Sequence, residues 1–79
     1  MSKLNALAIS DNGFIFKPST GESFITNEQG LIIIQLLKEK KSIDGIINEI
    51  ISIYEIDKLT AGKDLYEFLD FLKRENLTD

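Results

Sequence analysis

The sequence contains no cysteine and no histidine. Cysteine supplies disulfides and thiol nucleophiles, and histidine supplies the commonest general base and metal ligand. The side chains that remain for chemistry are carboxylates, hydroxyls, lysines and one arginine, and they form no recognisable catalytic motif. We therefore predict that the chain is not an enzyme, has no catalytic residue, metal site or cofactor, and acts by binding a partner.

Long apolar runs and excess positive charge are also absent. The run Leu31 to Ile34 has four residues and none is longer, whereas a membrane span needs about 20 and a signal-peptide core about 7 to 15. We expect a cytoplasmic chain with no membrane partner. Because 13 acidic and 9 basic residues give a net charge of −4, the averaged field repels nucleic acid, and no nucleic-acid partner is expected.

The composition that is present is typical of one small folded domain. The 79 residues are 43% hydrophobic and 28% charged, which is far from the composition of disordered chains. We predict a single domain over residues 1–79. The spacing of the apolar residues changes near Thr26: short strand-like segments precede this residue, and helical periodicity follows it.

Three short segments in the first part predict a meander of antiparallel strands. They are Leu4 to Ile9, Gly13 to Lys17 and Ser23 to Thr26. An Asp-Asn-Gly turn separates the first two, and a Pro-Ser-Thr-Gly turn separates the last two. Period-two alternation in the middle segment places Phe14 and Phe16 on one face of the sheet.

Three helices are predicted after the strands. The first begins near Thr26 or Asn27, either of which can cap it, and Thr26 to Gln29 has the spacing of a capping box. The second follows a Ser42 cap, and the third follows an Asp57 cap and ends near Asn76. The apolar stripes fall at helical spacing: Ile33, Leu36 and Leu37; then Ile43, Ile46, Ile47, Ile50, Ile51 and Tyr54; then Leu65, Phe68, Leu69 and Leu72. The fold class is therefore α+β.

Carboxylates on the third helix were the remaining candidates for chemistry. Asp64, Glu67 and Asp70 lie away from its apolar stripe, and we interpret them as a solvated face. Asp70 is placed to pair with Arg74 one turn later.

A second stripe on the third helix is a candidate peptide-binding surface. It consists of Leu59, Lys63, Tyr66, Asp70 and Lys73, and it mixes an aromatic, an aliphatic and both charge signs. Alternatively, Tyr66 edges the core while the lysines extend along its surface. Phe71 flanks the core on the opposite side and competes as an anchor.

The last strand of the meander is a second candidate surface. An exposed strand edge can accept an added strand unless something covers it. Ser23, Phe24, Ile25 and Thr26 lead directly into the first helix, and we predict that they bind a peptide through their main chain. Alternatively, the strand is short because short edge strands limit unwanted pairing with other chains.

Two alternative functions follow from the same elements. Two helices joined by a short turn suggest a winged-helix DNA-binding regulator. The third helix argues against it, because its charges cancel and Asp57 stands where bases would be read. A small structural or oligomerising domain is the other alternative, and a self-paired edge strand would favour it.

An ordered set of segments resembles the PqqD-like family. The set covers about Leu7 to Leu77 and consists of Gly13 to Phe24, Thr26 to Glu28, Ile33 to Leu37, Ser42 to Ile47, Tyr54 to Asp57 and Asp64 to Leu69. The resemblance implies a winged-helix-like fold, with a three-stranded antiparallel sheet followed by three helices, and a non-enzymatic recognition element for the leader of a ribosomally made precursor peptide.

The resemblance also implies where the leader binds and what its partners are. In the family the leader is added beside the third strand and lies against the third helix, which correspond here to Ser23 to Thr26 and the stripe through Tyr66. The implied partners are the leader peptide and a modifying enzyme, often a radical SAM protein. We expect a monomer or a weak homodimer. The Phe-rich hairpin resembles the broad PqqD-like group and not the family member that acts in pyrroloquinoline quinone synthesis.

Overall fold

The computed structural model describes residues 2–79, so Met1, the first residue of the expected domain, lies outside the described residues. The elements are α1 (Ser2–Asn5), β1 (Ala8–Ile9), β2 (Phe14–Lys17), β3 (Glu22–Ile25), α2 (Glu28–Lys38), α3 (Ile43–Tyr54) and α4 (Lys58–Arg74). The three strands form one antiparallel sheet in the order β1-β2-β3. The predicted α+β fold is confirmed, with one short helix added before the sheet.

The prediction of a strand from Leu4 to Ile9 was wrong over its first half. Ser2–Asn5 is a helical turn, and only Ala8 and Ile9 pair with β2. Leu4 and Leu7 are both buried. Residues three apart lie on opposite faces of a strand but on one face of a helical turn. The turn that follows α1, in which the Leu7 N–H donates to the Leu4 carbonyl (3.2 Å), therefore brings both leucines into the core.

The sheet has one buried and one exposed face. Ile15 is fully buried, while Phe14 and Phe16 on either side of it are exposed. The alternation predicted that the two phenylalanines share a face, and the structure shows that this face is the exposed one. Gly13 precedes β2 with φ of +89°, and a Cβ there would overlap the carbonyl oxygen of Thr26. Glycine is therefore required where β2 meets the end of β3.

Each long helix begins at a side chain that accepts a main-chain N–H. The caps are Asn27, Ser42 and Asp57, which accept from Gly30 (2.9 Å), Gly45 (3.0 Å) and Thr60 (2.8 Å). The caps of α3 and α4 are the predicted ones. Of the two predicted candidates for α2, Asn27 is the cap and Thr26 is not.

The core lies between the inner face of the sheet and the helices. Its buried side chains are Leu4, Leu7, Ile15, Ile33, Ile34, Leu36, Leu37, Ile46, Ile47, Ile50, Ala61, Leu65, Leu72 and Leu77. In the predicted stripe of α4, Phe68 and Leu69 are only half-buried. No helix within residues 2–79 is both long and apolar enough to cross a membrane.

The end of α4 differs in one detail from the prediction. The Leu77 N–H donates to the Leu72 carbonyl (2.8 Å) while Asn76 takes a left-handed φ of 58°, which closes the helix.

In the described part of the chain, the ion pair on α4 joins Lys63 to Glu67 (3.9 Å), and the predicted pair of Asp70 with Arg74 does not form. Both of those side chains point into solvent, where such pairs contribute little stability.

Candidate functional site

The outer edge of β3 presents main-chain groups that β2 does not use. Thr26 N–H donates to the Gly13 carbonyl (2.8 Å), and Phe24 lies opposite Ile15 two residues earlier. In an antiparallel ladder, hydrogen-bonded residues alternate with residues whose N–H and C=O point the other way. The N–H and C=O groups of Ser23 and Ile25 therefore point away from β2, toward the open edge of the sheet.

A groove of about 560 Å³ runs beside this edge, between the end of β3 and α4. It is bounded by the β3–α2 junction on one side and by one face of α4 on the other. The lining residues are Ile25, Thr26, Asn27, Gln29, Gly30, Ile33, Asp64, Glu67, Phe68 and Phe71. An extended peptide beside β3 would thus have α4 as its second wall.

The apolar part of the groove contains the rings of Phe68 and Phe71 and a glycine, and Phe24 packs beside them. Phe71 meets Phe24 edge-on with ring centroids 6.0 Å apart, and it also contacts Phe68 at 5.8 Å. The edge-on arrangement of Phe71 and Phe24 is one of the favoured geometries of aromatic pairs. At Gly30 a Cβ would lie 2.9 Å from Phe68 Cε1 and would overlap Thr26 Oγ1. The glycine lets α2, α4 and the end of β3 approach closely.

The charged part of the groove is acidic. Asp64 is half-buried and accepts a long hydrogen bond from Gln29 Nε2 (3.4 Å). Glu67, one turn further along α4, is exposed, and Lys63 lies 3.9 Å from it. No lysine or arginine is among the described residues that line the groove. The interpretation of Asp64, Glu67 and Asp70 as one solvated face was therefore wrong for Asp64, which the packing of α4 against α2 partly buries.

A smaller hollow of about 380 Å³ adjoins the groove through Asp64. At this hollow Tyr54 at the end of α3 donates a hydrogen bond to Glu28 Oε1 (3.0 Å). Burial, and then the hydrogen bond to Glu28 with its negative charge, raise the pKa of Tyr54 above its ordinary value. The hydroxyl therefore stays protonated and ties α3 to the first turn of α2.

The four strand residues predicted to bind a peptide lie at the groove and the open edge. The strand itself runs from Glu22 to Ile25, one residue earlier than predicted, and Thr26 follows it and donates to Gly13, the residue before β2. Ile25 is 78% exposed on the outer face, and Phe24 points inward to the aromatic rings. Their binding role itself stays a prediction.

The predicted stripe on the third helix lies elsewhere. Leu59 and Tyr66 are 84% and 56% exposed, and none of Leu59, Lys63, Tyr66, Asp70 and Lys73 lines the groove. At about 100° per residue, the stripe is centred about 130° around the helix axis from the groove-lining face. The structure brings β3 together with a different face of α4, and the stripe stays a separate, untested prediction.

The groove-lining face of α4 was missed by the sequence reasoning, although it has a signal. Asp64, Glu67, Phe68 and Phe71 fall at i, i+3, i+4 and i+7, which is a complete helical stripe. Phe71 had been recognised as a competing anchor. Tertiary packing determines which flank of the buried stripe on α4 faces the sheet, and helical periodicity alone does not predict that flank.

Comparison with known proteins places this arrangement in a family. A solved structure described as TbiB1 in complex with the TbiA(beta) leader peptide matches the chain with a TM-score of 0.79 and 30% sequence identity. The match covers 90% of this chain and 84% of that one. No curated protein matches the sequence. The sequence profile of the family described as coenzyme PQQ synthesis protein D matches residues 13–77, from the glycine before β2 to the buried leucine after α4. Since that match spans most of the chain, the protein belongs to the PqqD family.

Proposed function

We propose that this chain is a recognition element without catalytic activity that binds the leader of a ribosomally synthesised precursor peptide. The leader adds as a strand to the open edge of β3 and lies in the groove against α4. The chain then presents the precursor to a modifying enzyme, for which a radical SAM protein is our candidate. The observation that carries the proposal is the outward orientation of the Ser23 and Ile25 peptide groups beside a groove.

The register of β3 gives the added strand two sets of side chains. Residues opposite Ser23 and Ile25 would bond to the main chain, and their side chains would lie on the outer face with Phe14 and Phe16. Residues opposite Phe24 and Thr26 would face the groove. Main-chain bonds then supply affinity, and the groove supplies selectivity.

The relative of known structure supports the nature of the ligand. TbiB1 is in complex with a leader peptide, and this chain shares its fold over most of its length. Strand addition requires the leader to bind in extended form. Because β3 offers few ladder bonds, we expect the groove contacts to add to the affinity that the main-chain bonds supply.

An amide NMR titration tests the proposal. The ¹⁵N-labelled chain is titrated with the leader of any short peptide encoded beside its gene, and with a scrambled version of that leader as the control. We expect saturable changes in the amide chemical shifts of Ser23 to Thr26, Phe68 and Phe71 with the unscrambled leader only. Equal shifts with both peptides, or shifts on α4 produced by duplex DNA and not by the leader, would contradict leader recognition.

A further inference from the structure

The charge of the groove indicates which leader segment it accepts. We infer that the groove binds a peptide strand that carries an apolar side chain against Phe71 and a lysine or arginine against Asp64 and Glu67. This inference rests on the proposed function, and it adds the chemical class of the bound segment.

The spacing of the two subsites follows from contacts near the C-terminal end of β3. Phe24 packs on Phe71 (6.0 Å between centroids), and beyond the end of β3 Gln29 bonds to Asp64 (3.4 Å). Phe71 lies seven residues after Asp64, which is about 10 Å along the helix. Alternate residues of a strand are about 6.8 Å apart. The cationic side chain therefore lies two or four residues from the apolar one along the peptide.

The acidic subsite has little positive charge of its own. Gln29 is neutral, and the ion pair of Lys63 with Glu67 is long, with both side chains mostly exposed (73% and 66%). Such pairs are weak and are readily exchanged for a better partner. The positive end of α2 adds little, because Asn27 accepts the Gly30 N–H and Glu28 occupies its first turn. A cation between Asp64 and Glu67 would compensate two carboxylates.

A second copy of the chain is a poorer occupant of the same edge. If β3 paired with β3 of another copy, the strand entering the groove would be Glu22–Ile25, whose only charged residue is Glu22. It would add negative charge to an acidic groove and supply no cation. Charge complementarity thus favours a basic peptide over self-pairing.

Selection of displayed peptides tests the inference. Random dodecapeptides on phage are selected against the wild-type chain, against Asp64→Asn/Glu67→Gln, and against Glu39→Gln/Glu49→Gln. The last variant removes the same charge from exposed carboxylates outside the groove. We expect the wild type and this control to enrich lysine or arginine two or four residues from an apolar residue, and the groove variant to lose that enrichment. For one selected peptide, replacing the cation by glutamine should weaken binding about three- to tenfold.

The outcomes separate this inference from the function on which it rests. Selected peptides that shift the Ser23 and Ile25 amides but show no basic preference, or an acidic one, would overturn the cationic subsite alone. The absence of any enriched peptide, or shifts that avoid β3, would overturn strand addition and the subsite with it. A dimer in light scattering that Ile25→Pro dissociates and that selected peptides do not would assign the edge to a second copy and overturn both.

Discussion

The Thr26 N–H donates to the carbonyl oxygen of Gly13 at 2.8 Å, one residue beyond the last residue of β3. This bond continues the ladder and determines which residues of β3 direct their N–H and C=O groups toward β2, because such residues alternate along the strand. Phe24 uses its main chain within the sheet, whereas Ser23 and Ile25 direct theirs outward. Gly13 permits the close approach, since a Cβ at this position would overlap the Thr26 carbonyl.

Proline at Ile25 should weaken leader binding while leaving the fold in place. Ile25→Pro removes an N–H that points to the open edge, so a ladder bond to the peptide is lost and none to β2. A bond of this kind contributes about 1 kcal/mol, and we expect at least about fivefold weaker binding by fluorescence anisotropy. Ile25→Thr, which keeps the N–H and the β-branched shape, is the matched control.

Phe24→Pro provides the opposite control, because the Phe24 N–H points to β2. It should lower the free energy of unfolding instead of acting on the ligand alone. Wild-type affinity in a folded Ile25→Pro variant would count decisively against strand addition at this edge.

Two helical glycines should respond oppositely to alanine. Gly30→Ala places a Cβ 2.9 Å from Phe68 Cε1 and into Thr26 Oγ1, so we expect a net destabilisation of about 1 to 2 kcal/mol. Gly62→Ala places its Cβ 3.9 Å from Ile47 Cδ1, an ordinary contact, and should stabilise the chain by up to about 1 kcal/mol. Urea denaturation measures both, and a Gly30→Ala variant as stable as Gly62→Ala would mean that the groove floor is not tightly packed.

The helices could be predicted well because their signals are local. The Ser42 and Asp57 caps and the isoleucine spacing of α3 depend on neighbouring residues, and the structure has them where the sequence indicated. The first strand failed because Leu4 and Leu7 both had to reach the core. That requirement comes from the rest of the fold, and the apolar content of the segment suggested only a strand.

The candidate site was predictable on one side only. The edge position of β3 follows from a three-strand meander, so the sequence placed Ser23 to Thr26 at the edge of the sheet, and their binding role stays a prediction. The predicted stripe on α4 lies outside the groove, and its binding role stays untested. The flank of α4 that faces β3 could not be predicted, because Leu65 and Leu72 define what is buried but not which side of the helix the sheet covers. Phe71, with its ring on Phe24, settles that question in the structure.

The free energy of unfolding should fall in acid, in part because protonation of Asp57 weakens the N-cap of α4. The hydrogen bonds that its carboxylate accepts from the Thr60 side chain and main chain hold the pKa of Asp57 below its ordinary value. A lowered folded pKa means that the contribution is complete above the unfolded pKa of about 3.9 and is lost as the pH falls through the folded pKa. Asp57→Asn still caps the helix without titrating.

Urea denaturation at about pH 7 and at about pH 2.5 measures this contribution, because that interval spans the ordinary carboxylate range. We expect the loss of unfolding free energy between the two values to be smaller in Asp57→Asn than in the wild type. The other carboxylates titrate in both proteins, so their contribution cancels in the comparison. An equal loss in the two proteins would show that the cap does not favour the charged form of Asp57.

Phe71 and Tyr66 should separate the groove from the exposed stripe of α4. Phe71 contacts Phe24 and Phe68 inside the groove, whereas Tyr66 is 56% exposed and lies outside it. Phe71→Leu keeps an apolar side chain but loses the edge-on ring contact, so we expect leader binding to weaken about threefold to tenfold. Tyr66→Ala should change affinity less than about twofold. Calorimetric titration, with urea denaturation to establish that both variants are folded, compares them, and the reverse ranking would move the leader from the groove to the stripe through Leu59, Lys63 and Lys73.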